Sequence, residues 1–233
     1  MFKKLILYFT KFEIALWLFS IISIIACFMI FDSSSYFTMI SSIIGVTSII
    51  LCSKGNYYGE ILMVIFSILY CIISYFFRYF SEIITYAFMT LPMSVLTYYS
   101  WSKNQFKEGK NEVKLVGSIS KKDTVLLIIL TVIVTFSLHI LLKIFNTRNL
   151  IVSTISLPTS FVAVFLSYKR NYYFAFWYAL NDVVLIVLWF LASLVEVRYV
   201  SVMLCFIIFL VNDTYCFINL RKIHKNQEMI TNQ

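Results

Sequence analysis

The sequence predicts an all-α polytopic membrane protein with eight transmembrane helices. Three observations predict it. Hydrophobic residues make up 61% of the 233 and charged residues 13%, against roughly 45–50% and about 25% in soluble domains. The apolar residues gather in eight runs, each near the ~20 residues that cross a bilayer. The basic residues fall between those runs. A soluble globule of this length could not hide so much apolar surface, and the same numbers exclude disorder.

The runs cover roughly 13–31, 35–53, 58–77, 81–101, 123–145, 149–168, 173–193 and 198–219. The start, Met1-Phe2-Lys3-Lys4, is basic, but no small-residue cleavage site follows the first run. That run therefore reads as a retained helix and not as a signal peptide. Connections are short except 102–122, which is lysine-rich and holds Gly109 and Gly117. With eight spans, one side collects fifteen of the nineteen Lys and Arg, among them Lys3, Lys4, Lys54, Lys169 and Arg221. Arg78, Lys143, Arg148 and Arg198 fall on the other side. The positive-inside rule then places both termini in the cytoplasm. The net charge of +8 reads as topology and contact with anionic lipid, with no nucleic acid implied.

An internal repeat supports a parallel 3+1+3 bundle. Lys54-Gly55-Asn56-Tyr57-Tyr58 recurs 115 residues later as Lys169-Arg170-Asn171-Tyr172-Tyr173. Each copy opens onto an apolar run, a short loop and a second run ending in a basic cluster. Three spans are odd, so the fifth run is needed to restore direction between the triplets, as in parallel-repeat transporters. The chain divides into an extra N-terminal helix (1–34), a first triplet (35–101), a basic loop with linker helix (102–148) and a second triplet with tail (149–233).

Polar groups at membrane depth carry the functional expectation. The seventh run holds Asn181-Asp182 and the eighth holds Asn212-Asp213. A carboxyl in hydrocarbon costs about 2.5–3.5 kcal/mol, so it faces the bundle interior or a wet cavity. The two pairs lie at matched depth, roughly 10–12 Å from the cytoplasmic edge. They are expected to face one another, with Met93 and Ser94 of the fourth run level with them. Phe174, Trp177, Asn181 and Leu188 share one helical face. Trp177 beside Asn181 predicts a ring that stacks a planar ligand and an amide that hydrogen-bonds it. The rival reading is that these groups glue helices together.

The remaining signals are weaker. Cys27, Cys52, Cys71, Cys205 and Cys216 form no CxxC and read as buried small hydrophobes. His139 has no partner at metal-ligand spacing, and Glu60 and Glu82 read as helix-end acids. Pro92 and Pro158 mark possible kinks. No P-loop, HExxH or GxSxG occurs, so binding is expected, with no catalysis, metal or cofactor.

These residues resemble the PnuC family of nicotinamide riboside transporters over most of 36–225. Tyr172 through Trp189 is similar to the family's tryptophan-rich motif and its asparagine, with Trp177 and Asn181 on the second tryptophan and the asparagine. Phe209 through Tyr215, Leu91 through Trp101 and Lys54 through Tyr58 resemble three further family segments. Phe174, Ser94 and Leu220 stand where the family has tryptophan, glutamine and tryptophan, and an early acid of the sixth run is absent near Val152.

The resemblance implies a SWEET-like fold in a bacterial inner or plasma membrane and a homotrimer. It implies import of nicotinamide riboside by facilitated diffusion, made net by a cytoplasmic kinase. The expected binding residues are Trp177, Asn181, Asn212, Phe174, Tyr173, Asp182, Asp213 and Ser94. Transport of thiamine, riboflavin or a deoxynucleoside stays open, as does proton coupling through Asp182 or Asp213.

Overall fold

The computed structural model describes residues 8–76, 79–107 and 110–232. Met1 to Lys4, Arg78 and Gly109, used in the sequence argument, lie outside the described residues. The helices are α1 (Lys11–Phe31), α2 (Tyr36–Cys52), α3 (Tyr58–Phe76), α4a (Phe80–Thr85), α4b (Leu91–Lys103), α5 (Lys121–Ile144), α6 (Leu150–Tyr168), α7 (Phe174–Ser193) and α8 (Tyr199–Thr231). Six of them, α1, α3, α5, α6, α7 and α8, are long and apolar enough to cross a bilayer, and α2 is a shorter apolar helix. Among the described residues no strand forms, only isolated bridges.

Local chemistry sets the helix starts. Thr10 and Glu13 form a capping box, Glu13 N–H to Thr10 Oγ1 at 3.2 Å and Thr10 N–H to Glu13 Oε2 at 2.6 Å. Ser120 caps α5 by accepting from Asp123 N–H at 3.1 Å. Between α4a and α4b lies a π turn, Tyr86–Thr90, in which Leu91 N–H bonds the Tyr86 carbonyl five residues back. Pro92 follows directly. Proline lacks an N–H and crowds the carbonyl four residues back, which favours this wider register. The last helix outruns its predicted end at 219 and reaches Thr231. Hydropathy marks where the bilayer stops, whereas no Gly or Pro stops the helix there.

The packing partners form a closed ring. Helix α2 packs on α3, α3 on α4b, α4b on α6, α6 on α7, α7 on α8, and α8 back on α2. Helix α1 lies against both α2 and α8, and α5 lies against α6 and α4a. Each of these two outer helices therefore covers one seam where early and late halves of the chain meet. The large apolar side chains exposed on α1 and α5, such as Phe19, Ile22, Val132 and Phe136, suit contact with lipid.

The repeated pentapeptides fold alike. Gly55 and Arg170 both adopt a left-handed backbone, with φ of 65° and 60°. Asn56 Oδ1 accepts from Tyr58 N–H and Asn171 Oδ1 from Tyr173 N–H, each at 3.0 Å. The following tyrosine pairs pack with centroids 4.6 and 4.7 Å apart. A strap after α4b crosses both turns. Val113 N–H bonds the Gly55 carbonyl and Val116 N–H the Arg170 carbonyl, both at 2.9 Å. Buried Gln227 of α8 holds the strap through Leu115 N–H, the Val113 carbonyl and Glu112 Oε1, each at 2.9 Å.

Candidate functional site

Inside the ring lies a cavity of about 50 Å³. Its polar wall is Tyr86 and Thr90 of the π turn, Ser160 of α6, Tyr178, Asn181 and Asp182 of α7, and Asp213 of α8. Phe66, Phe206, Phe209 and Met63 close it on the apolar side. Gly45 of α2 completes the wall. A Cβ there would lie 3.0 Å from the Phe209 ring and 3.1 Å from Phe66, so the glycine lets both rings close over the space.

Asn181 is fixed from α6. Its Oδ1 accepts from Thr159 Oγ1 at 2.8 Å and from Ser160 Oγ at 3.0 Å. With the acceptor engaged twice, the amide's N–H donors are the part left for a ligand. Asp182 of α7 and Asp213 of α8 line the same cavity, close enough to act electrostatically on each other. Among the described residues no Lys or Arg lines the cavity.

Toward the basic end of the ring a second acid is buried. Glu60 Oε1 accepts from Ser167 Oγ at 3.2 Å and lies 3.9 Å from Cys52 Sγ, and Ser94 lies beside its carboxyl. Helices α2, α3, α4b and α6 thus meet at one side chain. Glu60 and Glu82 lie in the first turns of α3 and α4a, as read from sequence, and both are also buried, Glu60 at 5% and Glu82 at 1% exposure. First-turn position says nothing about which way a side chain points.

Of the expected site residues, Asn181, Asp182 and Asp213 come together. Asn212 does not join them. Its Nδ2 donates to Ser20 Oγ of α1 at 2.9 Å and to the Ile208 carbonyl at 2.8 Å. Consecutive helical residues point about 100° apart, so turning Asp213 inward turns Asn212 toward α1. The same rotation separates Trp177 from Tyr178: Trp177 stays half-buried off the cavity and Tyr178 lines it. Phe174 is buried against Trp101, centroids 5.7 Å apart. Tyr173 is largely exposed on Tyr172 and Phe217. Ser94 serves Glu60 and does not line the cavity.

Thr159, Ser160 and Tyr178 were not singled out from sequence. A signal existed: Ser153, Ser156, Ser160 and Ser167 recur at three- to seven-residue spacing along α6, the small-residue face of a close helix contact. His139 Nδ1 lies 2.8 Å from Thr154 Oγ1, an interhelical tie in an open, apolar hollow of about 500 Å³ between α5 and α6. All five cysteines are free.

A ring of apolar helices closed around an amide- and carboxyl-lined space is the anatomy of a membrane transporter. The comparisons agree. The nicotinamide mononucleotide transporter family matches residues 35–222, and the chain belongs to that family. The fold is similar to that in a crystal structure of the vitamin B3 transporter PnuC, with a TM-score of 0.79 over 94% of each chain at 20% identity. Comparison with curated protein sequences gives no match. Both relatives are transporters and not enzymes.

Proposed function

We propose that the protein imports nicotinamide riboside by facilitated diffusion, with a cytoplasmic kinase trapping the product. The observation that carries this reading is Asn181, an amide oriented by two hydroxyls beside the carboxyls of Asp182 and Asp213. A nicotinamide carboxamide matches the amide, and a pyridinium cation matches Asp182 and Asp213. The family is named for the mononucleotide. A cavity lined by no Lys or Arg among the described residues favours the riboside over its phosphate ester, because a buried phosphate needs cationic partners.

The architecture that goes with this function is eight spans, α1 followed by a SWEET-like 3+1+3 bundle. Its parts are the extra helix (1–34), two triplets (35–101 and 149–233) and the linker region (102–148). Both termini face the cytoplasm of a bacterial cell, and the assembly is a homotrimer. Rocking of α2–α4b against α6–α8 gives alternating access. At about 50 Å³ the cavity is smaller than a nucleoside, so entry displaces the Phe66, Phe206 and Phe209 rings.

A second reading has its own support. Two buried carboxyls, Asp182 and Asp213, lining one cavity suit proton-coupled import. Uptake into vesicles that contain purified protein and no kinase separates the two. Facilitated diffusion equilibrates labelled nicotinamide riboside without accumulation. A pH gradient that concentrates it marks coupling. Thiamine, riboflavin and a deoxynucleoside in the same assay test the substrate, and failure of nicotinamide riboside to enter while another enters overturns the assignment.

A further inference from the structure

Glu82 sits at the end of the ring away from the basic strap, and nothing described so far employs it. It is 1% exposed, and it is the one buried acid among the described residues with neither carboxyl oxygen partnered. Its surroundings are aromatic on both sides along its own helix face. Its N–H bonds the carbonyl of Tyr79 at 3.2 Å, three residues before it, and Tyr86 lies four residues after it. Tyr79 packs on Trp189 of α7 at 4.6 Å and on Tyr199 of α8 at 5.8 Å between centroids. Tyr86 packs on Tyr70 of α3 at 4.5 Å. The carboxyl lies close enough to act electrostatically on Tyr70, Tyr79 and Tyr86.

An unpartnered carboxyl among ring faces is the chemistry that holds an organic cation. The acid supplies the counter-charge and the rings supply cation–π attraction, which strengthens when water is excluded. Among the described residues no salt bridge reaches Glu82; phenols and a thiol lie near it, and the Arg148 guanidinium sits against Tyr79. Glu82 also shares a helix face with residues that line the central cavity. Buried residues Glu82, Tyr86, Thr90 and Ser94 follow one another at four-residue steps down one helix face, and Tyr86 and Thr90 already line that cavity. Ser94 then reaches Glu60 at the other end.

We infer that Glu82, with Tyr79, Tyr86, Tyr70 and Trp189, forms a second binding site that takes a flat organic cation on its way to Asp182 and Asp213. The choice of a pyridinium as that cation rests on the proposed function. The stripe from Glu82 to Ser94 is then the track along which the ligand moves.

Tryptophan fluorescence of the full chain in lipid nanodiscs tests this, with 1-methylnicotinamide as probe. The probe carries the pyridinium and carboxamide but no ribose, and pyridinium rings quench a stacked indole. Wild type is expected to show saturable quenching with a component that Trp189→Phe removes. Glu82→Gln is expected to weaken that component at least tenfold, Glu82→Asp to retain most of it, and neutral nicotinamide to give none. Tyr79→Leu, which keeps the acid and removes one ring, should weaken it about fivefold and serves if Glu82→Gln does not fold. Trp189-dependent quenching that is absent in wild type, or equal in Glu82→Gln or Tyr79→Leu, overturns the inference. Failed uptake of nicotinamide riboside alongside Glu82-dependent quenching overturns the transport assignment and leaves this site standing.

Discussion

The carbonyls of Gly55 and Arg170 lie in two turns 115 residues apart, yet each accepts a 2.9 Å hydrogen bond from the same strap, through Val113 and Val116. The strap thereby ties the two turns to each other. Gln227 fastens it from beneath with three further bonds.

Gln227→Ala should loosen that fastening. It strips partners from buried Leu115 N–H and the Val113 carbonyl, a loss of about 1–3 kcal/mol. Limited trypsin digestion at Lys107, Lys110 and Lys114 is the readout, and cleavage should accelerate severalfold while the helices stay intact. An unchanged digestion rate would show that the strap holds without Gln227.

Asn181 should depend on its two hydroxyl donors. Thr159→Val with Ser160→Ala leaves the amide in place but frees its orientation. Ligand affinity should fall roughly 5- to 30-fold, the equivalent of about 1–2 kcal/mol, with a thermal midpoint close to wild type. Asn181→Ala should abolish binding. Calorimetric titration of purified protein measures both.

Tyr178, and not Trp177, lines the cavity. Tyr178→Ala should therefore weaken binding more than Trp177→Ala does. The reverse order in a titration would restore the indole that the sequence motif puts forward.

Glu13 is wholly buried and sits 3.3 Å from Lys54 and 2.9 Å from the Tyr215 hydroxyl. Lys54→Met removes the cation beside this buried carboxylate and leaves it neutral donors, the Tyr215 hydroxyl and Thr10 N–H, at a cost of up to about 3–5 kcal/mol. The double variant Glu13→Gln with Lys54→Met should recover most of that loss. Thermal unfolding of the four proteins in a mutant cycle measures the coupling.

Gly59 tolerates no side chain. A Cβ would lie 2.5 Å from Cys52 Sγ and 2.9 Å from the Cys52 nitrogen and the Ser48 carbonyl. The backbone atoms cannot yield, so Gly59→Ala should destabilise the protein by about 1–3 kcal/mol. A lowered midpoint in detergent would show it.

The sequence made the helix runs legible because hydropathy is summed over whole segments and survives the error of any one position. The pentapeptide turns were legible too, since Gly55 and the Asn residues have few conformations to choose from. Angular detail was not. Asn181, Asp182 and Asp213 met as expected, while Asn212 and Trp177 missed the cavity by one residue's rotation. Glu60 and Glu82 were hidden for a related reason: an acid in a first turn looks the same in sequence whether it faces headgroups or a neighbouring helix. The π turn before Pro92 left only the proline as a hint.

The two ends of the ring are fastened by different kinds of force. At the strap end the ties are directional: Trp101 Nε1 to the Ser167 carbonyl, Asn219 Nδ2 to the Ser53 carbonyl, and the bonds to Gly55, Arg170 and Glu60. Around Tyr79 the ties are ring faces. Hydrogen bonds fail abruptly when stretched, whereas stacked rings slide and keep much of their contact. A small tilt between the halves of the chain will therefore part the aromatic end gradually and leave the laced end shut until several bonds break together.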